Sequence, residues 1–127
     1  MEKYKVYRSE RFDKELSKFD KNFQNRVDNI EDQLVTNPFA GDPLGINWFR
    51  EKRYGKYRIY YLIYENLKAV FMVGISKKKD QQKVINTIKL LLEFFREEIE
   101  DLMETNDPMD YLLNKKWKWL KEINETN

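Results

Sequence analysis

The chain contains no cysteine and no histidine among its 127 residues. The first absence rules out a disulfide framework and a thiolate metal site. The second removes the side chain most often used as general base and the commonest zinc ligand. No internal repeat, low-complexity segment or flexible linker is apparent in the sequence. Long apolar runs are missing as well. The best stretch, Tyr57–Tyr64, is far too short to cross a bilayer, and Met1–Arg8 is charged and lacks an apolar signal region. A cytoplasmic protein with no membrane partner is the plain expectation.

What the chain does contain is enough for one core. Its hydrophobic fraction is 41%, its aromatic share 15%, and 36% of residues are charged. The net charge of +2 hides a segregation along the chain. Residues 1–40 carry eight basic and eight acidic groups, residues 41–90 eleven basic and four acidic, and residues 91–127 five basic and ten acidic. A cationic centre beside an acidic C-terminal arm suits a polyanion site with an internal shield; solvated faces of opposite sign give the same pattern.

Periodicity orders the elements. Tyr4–Arg8 alternates as a short strand, and Ser9 is placed to cap the helix that follows. Phe12, Leu16, Phe19, Phe23, Val27, Ile30 and Leu34 trace one helical face, and Asp20-Lys21-Asn22 divides it into a helical hairpin. Asn37-Pro38 ends the second helix, and Pro38–Gly45 reads as a turn-rich loop. Three strands follow at about Asn47–Arg53, Lys56–Tyr64 and Lys68–Ser76, joined by turns at Tyr54-Gly55 and Glu65-Asn66. The last is nearly all apolar, as in a strand covered on both faces. Asp80 opens a helix with the stripe Val84, Ile88, Leu91, Leu92, Phe95, Ile99 and Leu102. Asn106-Asp107-Pro108 restarts a final helix bearing Leu112, Leu113, Trp117 and Leu120. The fold class is therefore α+β: a strand and helical hairpin, a three-stranded antiparallel meander, then C-terminal helices. The expected division is a domain over 1–102 and a helical extension over 103–127 packed on it.

The segment from Trp48 to Tyr61 carries Arg50, Lys52, Arg53, Lys56 and Arg58 interleaved with aromatics, and Lys77-Lys78-Lys79 closes the last strand. Alternation puts Phe49, Glu51 and Arg53 on one face and Trp48, Arg50 and Lys52 on the other, with Arg58, Tyr60 and Leu62 sharing a face of the next strand. Such residues bind phosphates and stack on bases. A charged strand edge that discourages aggregation has the same composition, and residue types alone leave both readings open.

The order of elements narrows the choice. The Asn-Pro helix end, the Gly41-Asp42-Pro43-Leu44 loop, and Arg53-Tyr54-Gly55-Lys56-Tyr57-Arg58-Ile59-Tyr60-Tyr61 resemble the "R-x-G-x-Y-R-x-x-Y" pattern of RelE/ParE toxins. An apolar strand running into Lys77-Lys78-Lys79 and an amphipathic helix extends that resemblance over roughly residues 4–100. It implies the toxin of a toxin–antitoxin pair, with a cognate antitoxin as partner. RelE-like members cut mRNA at the ribosome without metal or cofactor; ParE-like members inhibit DNA gyrase and are not nucleases. On the nuclease reading Arg58 contacts the scissile phosphate, Lys78 or Lys77 supplies a second cation, and Arg53 a third. Lys52, Glu51 or Arg50 fills the preceding strand's catalytic slots, while Arg50, Lys56, Lys77 and Lys79 make up the RNA-binding set. Two departures stand out. Phe49 and Glu51 fall where RelE has lysines, and the terminal-helix tyrosine position falls near Val84. Glu51 then replaces lysine as base, or a bulge turns Arg50 and Lys52 inward, or the chain is a non-catalytic binding protein.

Overall fold

The computed structural model describes residues 3–104, and the expected helix after Asp107 lies outside them. Contacts divide the chain into two compact units, 1–95 and 96–127. In the first, strand β1 (Lys5–Arg8) leads into helices α1 (Glu10–Leu16) and α2 (Lys21–Thr36). Strands β2 (Asp42–Ile46), β3 (Phe49–Tyr54), β4 (Tyr57–Tyr64) and β5 (Ala69–Lys77) follow. Helices α3 (Gln81–Leu90) and α4 (Leu92–Met103) come last, and α4 continues into the second unit. There Arg96 and Glu100 pair one turn apart at 3.2 Å.

Both N-terminal helices start where the sequence supplies a cap. Ser9 Oγ accepts the Phe12 N–H at 3.0 Å, and Asp20 Oδ1 accepts the Phe23 N–H at 2.8 Å. Their stripe of Phe12, Leu16, Phe23, Val27, Ile30 and Leu34 is buried against Ile59, Tyr61 and Ile63 of β4 and Val70 and Met72 of β5. Phe19 is half-buried and stacks on Phe23 at 4.0 Å. Arg8 ties the end of β1 to α2 through Glu31 (2.8 and 2.7 Å) and Asp28 (2.7 Å).

The sheet order is β1-β5-β4-β3-β2, with β1 parallel to β5 and the other pairs antiparallel. The antiparallel meander thus has four strands rather than three, because Asp42–Ile46 within the expected loop pairs with β3. Pro43 and Gly45 disguise it; both are tolerated because β2 is an edge strand. Gly55 takes φ +56 in the β3–β4 turn, a conformation that favours glycine. Between β4 and β5 the register shifts by one residue, so that Val73 is left without an opposite number between Met72 and Gly74. β5 is buried from Ala69 to Ser76, as its apolar run predicts.

α3 covers the sheet face opposite α1 and α2, with Ile85 and Ile88 buried. It lies close: a Cβ on Gly74 would stand 3.2 Å from Ile88 Cδ1 and 3.5 Å from Val84 Cγ1. Asp80 precedes α3 without a side-chain capping bond, after a tight turn at Lys78–Asp80. The long helix expected through Leu102 breaks at Leu91, whose N–H bonds Ile88 three residues back at 3.0 Å.

Candidate nucleic-acid interface

The β3–β4 register runs without interruption from Phe49↔Leu62 to Tyr54↔Tyr57. No bulge intervenes, so alternation decides which side chains face α3. One row across the sheet is Glu51, Tyr60 and Gly74, and the next is Arg53, Arg58 and Ser76. These residues form the candidate site.

Arg58 is only 6% exposed. Its Nη1 donates to the carbonyls of Gly55 (3.1 Å) and Tyr57 (3.0 Å), and among the described residues no carboxylate lies within ion-pairing distance of it. A buried guanidinium held by neutral acceptors keeps its full attraction for an anion. Arg53 stands directly opposite and is exposed, 3.5 Å from Asp42 Oδ2 and 3.6 Å from Glu51 Oε1. Two arginines facing each other repel, so an anion between them is favoured.

Glu51 is 3% exposed. Its Oε2 accepts a hydrogen bond from Gln81 Nε2 at 2.6 Å. Beside it, the buried hydroxyls of Tyr60 and Ser76 lie 2.8 Å apart. Burial is the main force pushing the Tyr60 phenol above its ordinary value. The Ser76 hydrogen bond and the Arg58 charge pull it down, and the Glu51 charge pushes it up.

The lysines rim this cluster. Lys77, Lys78 and Lys79 are exposed where β5 turns into α3, and the Lys78 N–H bonds the Lys56 carbonyl at 2.8 Å. That bond brings the Lys77–Lys79 run beside the β3–β4 turn, where Lys56 is exposed and its Nζ lies 5.6 Å from the Tyr57 ring centroid.

Arg50 and Lys52 point away from α3. Lys52 is half-buried opposite Ile59. Arg50, 8% exposed, donates to Gly41 O (3.0 Å), Phe39 O (3.2 Å), Asn47 O (3.0 Å) and Asn47 Oδ1 (2.7 Å), with its guanidinium 5.3 Å from the Phe39 ring centroid. In this fold Arg50 clips the segment before β2 and the β2–β3 turn to the sheet. Sequence reasoning passed over Tyr60, Ser76 and Gln81 as site residues. The signal for Tyr60 was its alternation with Arg58; Ser76 and Gln81 needed the register and the position of α3. Val84, at the position where the resemblance expects a tyrosine, packs over Gly74.

A cleft of about 600 Å³ opens beside the β5 edge, between α1 and α3, with Arg11, Lys77, Lys79 and Lys83 among its lining. Glu15 from α1 reaches into it and accepts the Ile75 N–H at 3.1 Å, past the end of β1. Burial raises the Glu15 carboxyl above its ordinary value, against the lowering effects of that bond and of Arg11 and Lys18.

Fold and site together define a small α+β domain that presents a cationic, hydroxyl- and carboxylate-bearing sheet face beneath a helix. The chain has the fold of the RelE toxins. It superimposes on a free, doubly arginine-substituted form of Escherichia coli RelE with a TM-score of 0.61 at 17% identity, covering 70% of this chain and 98% of that one. It matches the intact E. coli RelBE toxin–antitoxin complex with a TM-score of 0.53 at 19% identity, covering 58% and 95%. The RelBE2 toxin–antitoxin complex of Mycobacterium tuberculosis gives 0.53 at 22% identity, covering 59% and 98%. No family model and no curated protein sequence matches the chain. Among the described residues no helix is long and apolar enough to cross a membrane.

Proposed function

We propose that this chain is the toxin of a toxin–antitoxin pair, a cytoplasmic endoribonuclease of the RelE kind that cuts mRNA on the ribosome without metal. The observation that carries the reading is the buried Arg58 guanidinium, bonded among the described residues to backbone carbonyls and flanked by Arg53 on the same face as Glu51. In the reaction, Glu51 accepts the proton of a ribose 2′-hydroxyl and the 2′-oxygen bonds to the adjacent phosphorus. The bond from phosphorus to the 5′-oxygen breaks, that oxygen takes a proton from water, the hydroxide so formed takes the proton back from Glu51, and a 2′,3′-cyclic phosphate remains. Arg58 and Arg53 stabilise the charge of the pentacoordinate phosphorus, and Lys78 with Lys77 forms the second cationic contact. Lys56 and Lys79 hold flanking phosphates. Arg50 and Lys52 stay outside this assignment because they lie on the other face.

The antitoxin and the ribosome with its mRNA are the proposed partners, and the extension expected over 103–127 lies outside the described residues from residue 105 onward. A ParE-like gyrase binder, or a binding protein without catalysis, is the second reading. It is favoured by one observation: Glu51 and Arg58 are both buried to more than nine-tenths. Induced expression separates these readings. Arg58→Ala should abolish growth arrest while leaving the fold intact, since removing a transition-state charge donor costs roughly 100- to 1,000-fold in rate. Arrest that persists with folded Arg58→Ala contradicts the nuclease assignment.

A further inference from the structure

We propose that Gln81 is a positioning residue that aims the Glu51 carboxylate at the 2′-hydroxyl, an inference that rests on the nuclease reading above. Glu51 projects from the middle of β3 into a region that leaves it 3% exposed, so its orientation is set by protein groups rather than by water. Among the described residues two side chains reach it. Gln81 Nε2 stands 2.6 Å from Oε2, a short hydrogen bond donated to a carboxylate oxygen. Arg53 Nε stands 3.6 Å from Oε1, from a side chain that is mostly exposed and also faces Asp42. The tight contact is therefore the amide, and Oε1 is the oxygen left to take a proton.

The chemistry of an amide suits that role. It donates a directional hydrogen bond without placing a counter-charge on the base, so it orients the carboxylate without neutralising it. Its position suits the role as well. Gln81 is the first residue of α3, directly after the Lys78–Asp80 turn, so the bond crosses thirty residues of sequence to join β3 to the helix. Anchoring α3 does not need this bond, because Ile85 and Ile88 are already buried beneath the helix. What it adds is a fixed orientation for Glu51.

The experiment uses the full chain and ribosomes programmed with mRNA, under single turnover. Gln81→Ala should lower the cleavage rate at saturating ribosome roughly 10- to 100-fold, the usual loss when a partner that orients a reacting group is removed. The ribosome concentration for half-maximal rate should stay within about twofold. Gln82→Ala, on the exposed side of α3 and bonded to Asn86, should leave both unchanged. The exchanged pair Glu51→Gln with Gln81→Glu keeps a hydrogen bond but moves the carboxylate to the helix. It should fold and stay inactive. Wild-type rates from Gln81→Ala or from the exchanged pair overturn the positioning role. The Gln81 side-chain amide signal in an NMR spectrum should move on Glu51→Gln whatever the activity; an unmoved signal overturns the contact itself. A folded wild-type chain that cleaves nothing, with that signal still moving, overturns the nuclease reading rather than the contact.

Discussion

Replacing Arg50 by alanine should unfold the chain more readily and do nothing specific to RNA. The side chain makes four hydrogen bonds to the Phe39, Gly41 and Asn47 groups that it clips to the sheet, and only 8% of it is exposed. A hydrogen bond from a charged group contributes about 1.5–3 kcal/mol, but bonds from one side chain to one segment are not additive. The contact with Phe39 adds about 0.5–1 kcal/mol. Allowing for water reaching some of the freed carbonyls, the loss should be about 3 kcal/mol. For a domain of this size that lowers Tm by roughly 12–24 °C. Arg50→Lys keeps the charge but replaces a planar fork with a point donor, and should lose about 2 kcal/mol. Urea melts of the three proteins give these values, and filter binding to single-stranded RNA is read below the melting range. A loss under about 1 kcal/mol, with RNA affinity reduced as much as in Lys78→Ala, would refute the reasoning and return Arg50 to the RNA surface.

Two further outcomes follow from the same geometry. Tyr60→Phe and Ser76→Ala should each destabilise by about 1–2 kcal/mol, because each strands a buried hydroxyl. The double variant should cost less than their sum by about 1 kcal/mol; strictly additive losses in urea melts would show that the hydroxyls do not interact. Glu15 gives a pH signature. Its folded-state value is raised above the ordinary 4.5, so the stability tied to it is complete below about pH 4.5 and is lost as pH rises through the folded value. Glu15→Gln removes that slope, so the stability of wild type relative to the variant should fall as pH rises above about 4.5. A flat or rising difference in urea midpoints contradicts the buried-carboxylate picture.

How much of this was legible in the sequence differs from element to element. The helical stripe from Phe12 to Leu34 and its division at Asp20 were legible because a period near 3.6 and a capping side chain are local properties. The apolar run of β5 and the turn at Gly55 were legible for the same reason. Strand β2 was hidden by Pro43 and Gly45, residues that punctuate loops in general and are permitted here because one edge of the strand has no neighbour. Gly41 shows the same limit. A Cβ there would lie 2.5 Å from the Glu51 carbonyl oxygen, a close approach set by chain packing and invisible in a loop composition. Alternation placed Arg50 on the face opposite Glu51, but could not say that the segment around Phe39 and Gly41 covers that face. The Tyr60–Ser76 and Glu51–Gln81 contacts join residues 16 and 30 positions apart, so they depend on strand register and on where α3 lands.

Primer extension on mRNA from a cell-free translation reaction, with the purified chain beside its Arg58→Ala variant, tests the central claim most directly. The account predicts new 5′ ends at ribosomal A-site positions, dependent on ribosomes and absent with the variant. Intact mRNA alongside a folded wild-type protein would contradict it, and inhibition of gyrase supercoiling by that preparation would assign the same fold to the ParE-like reading.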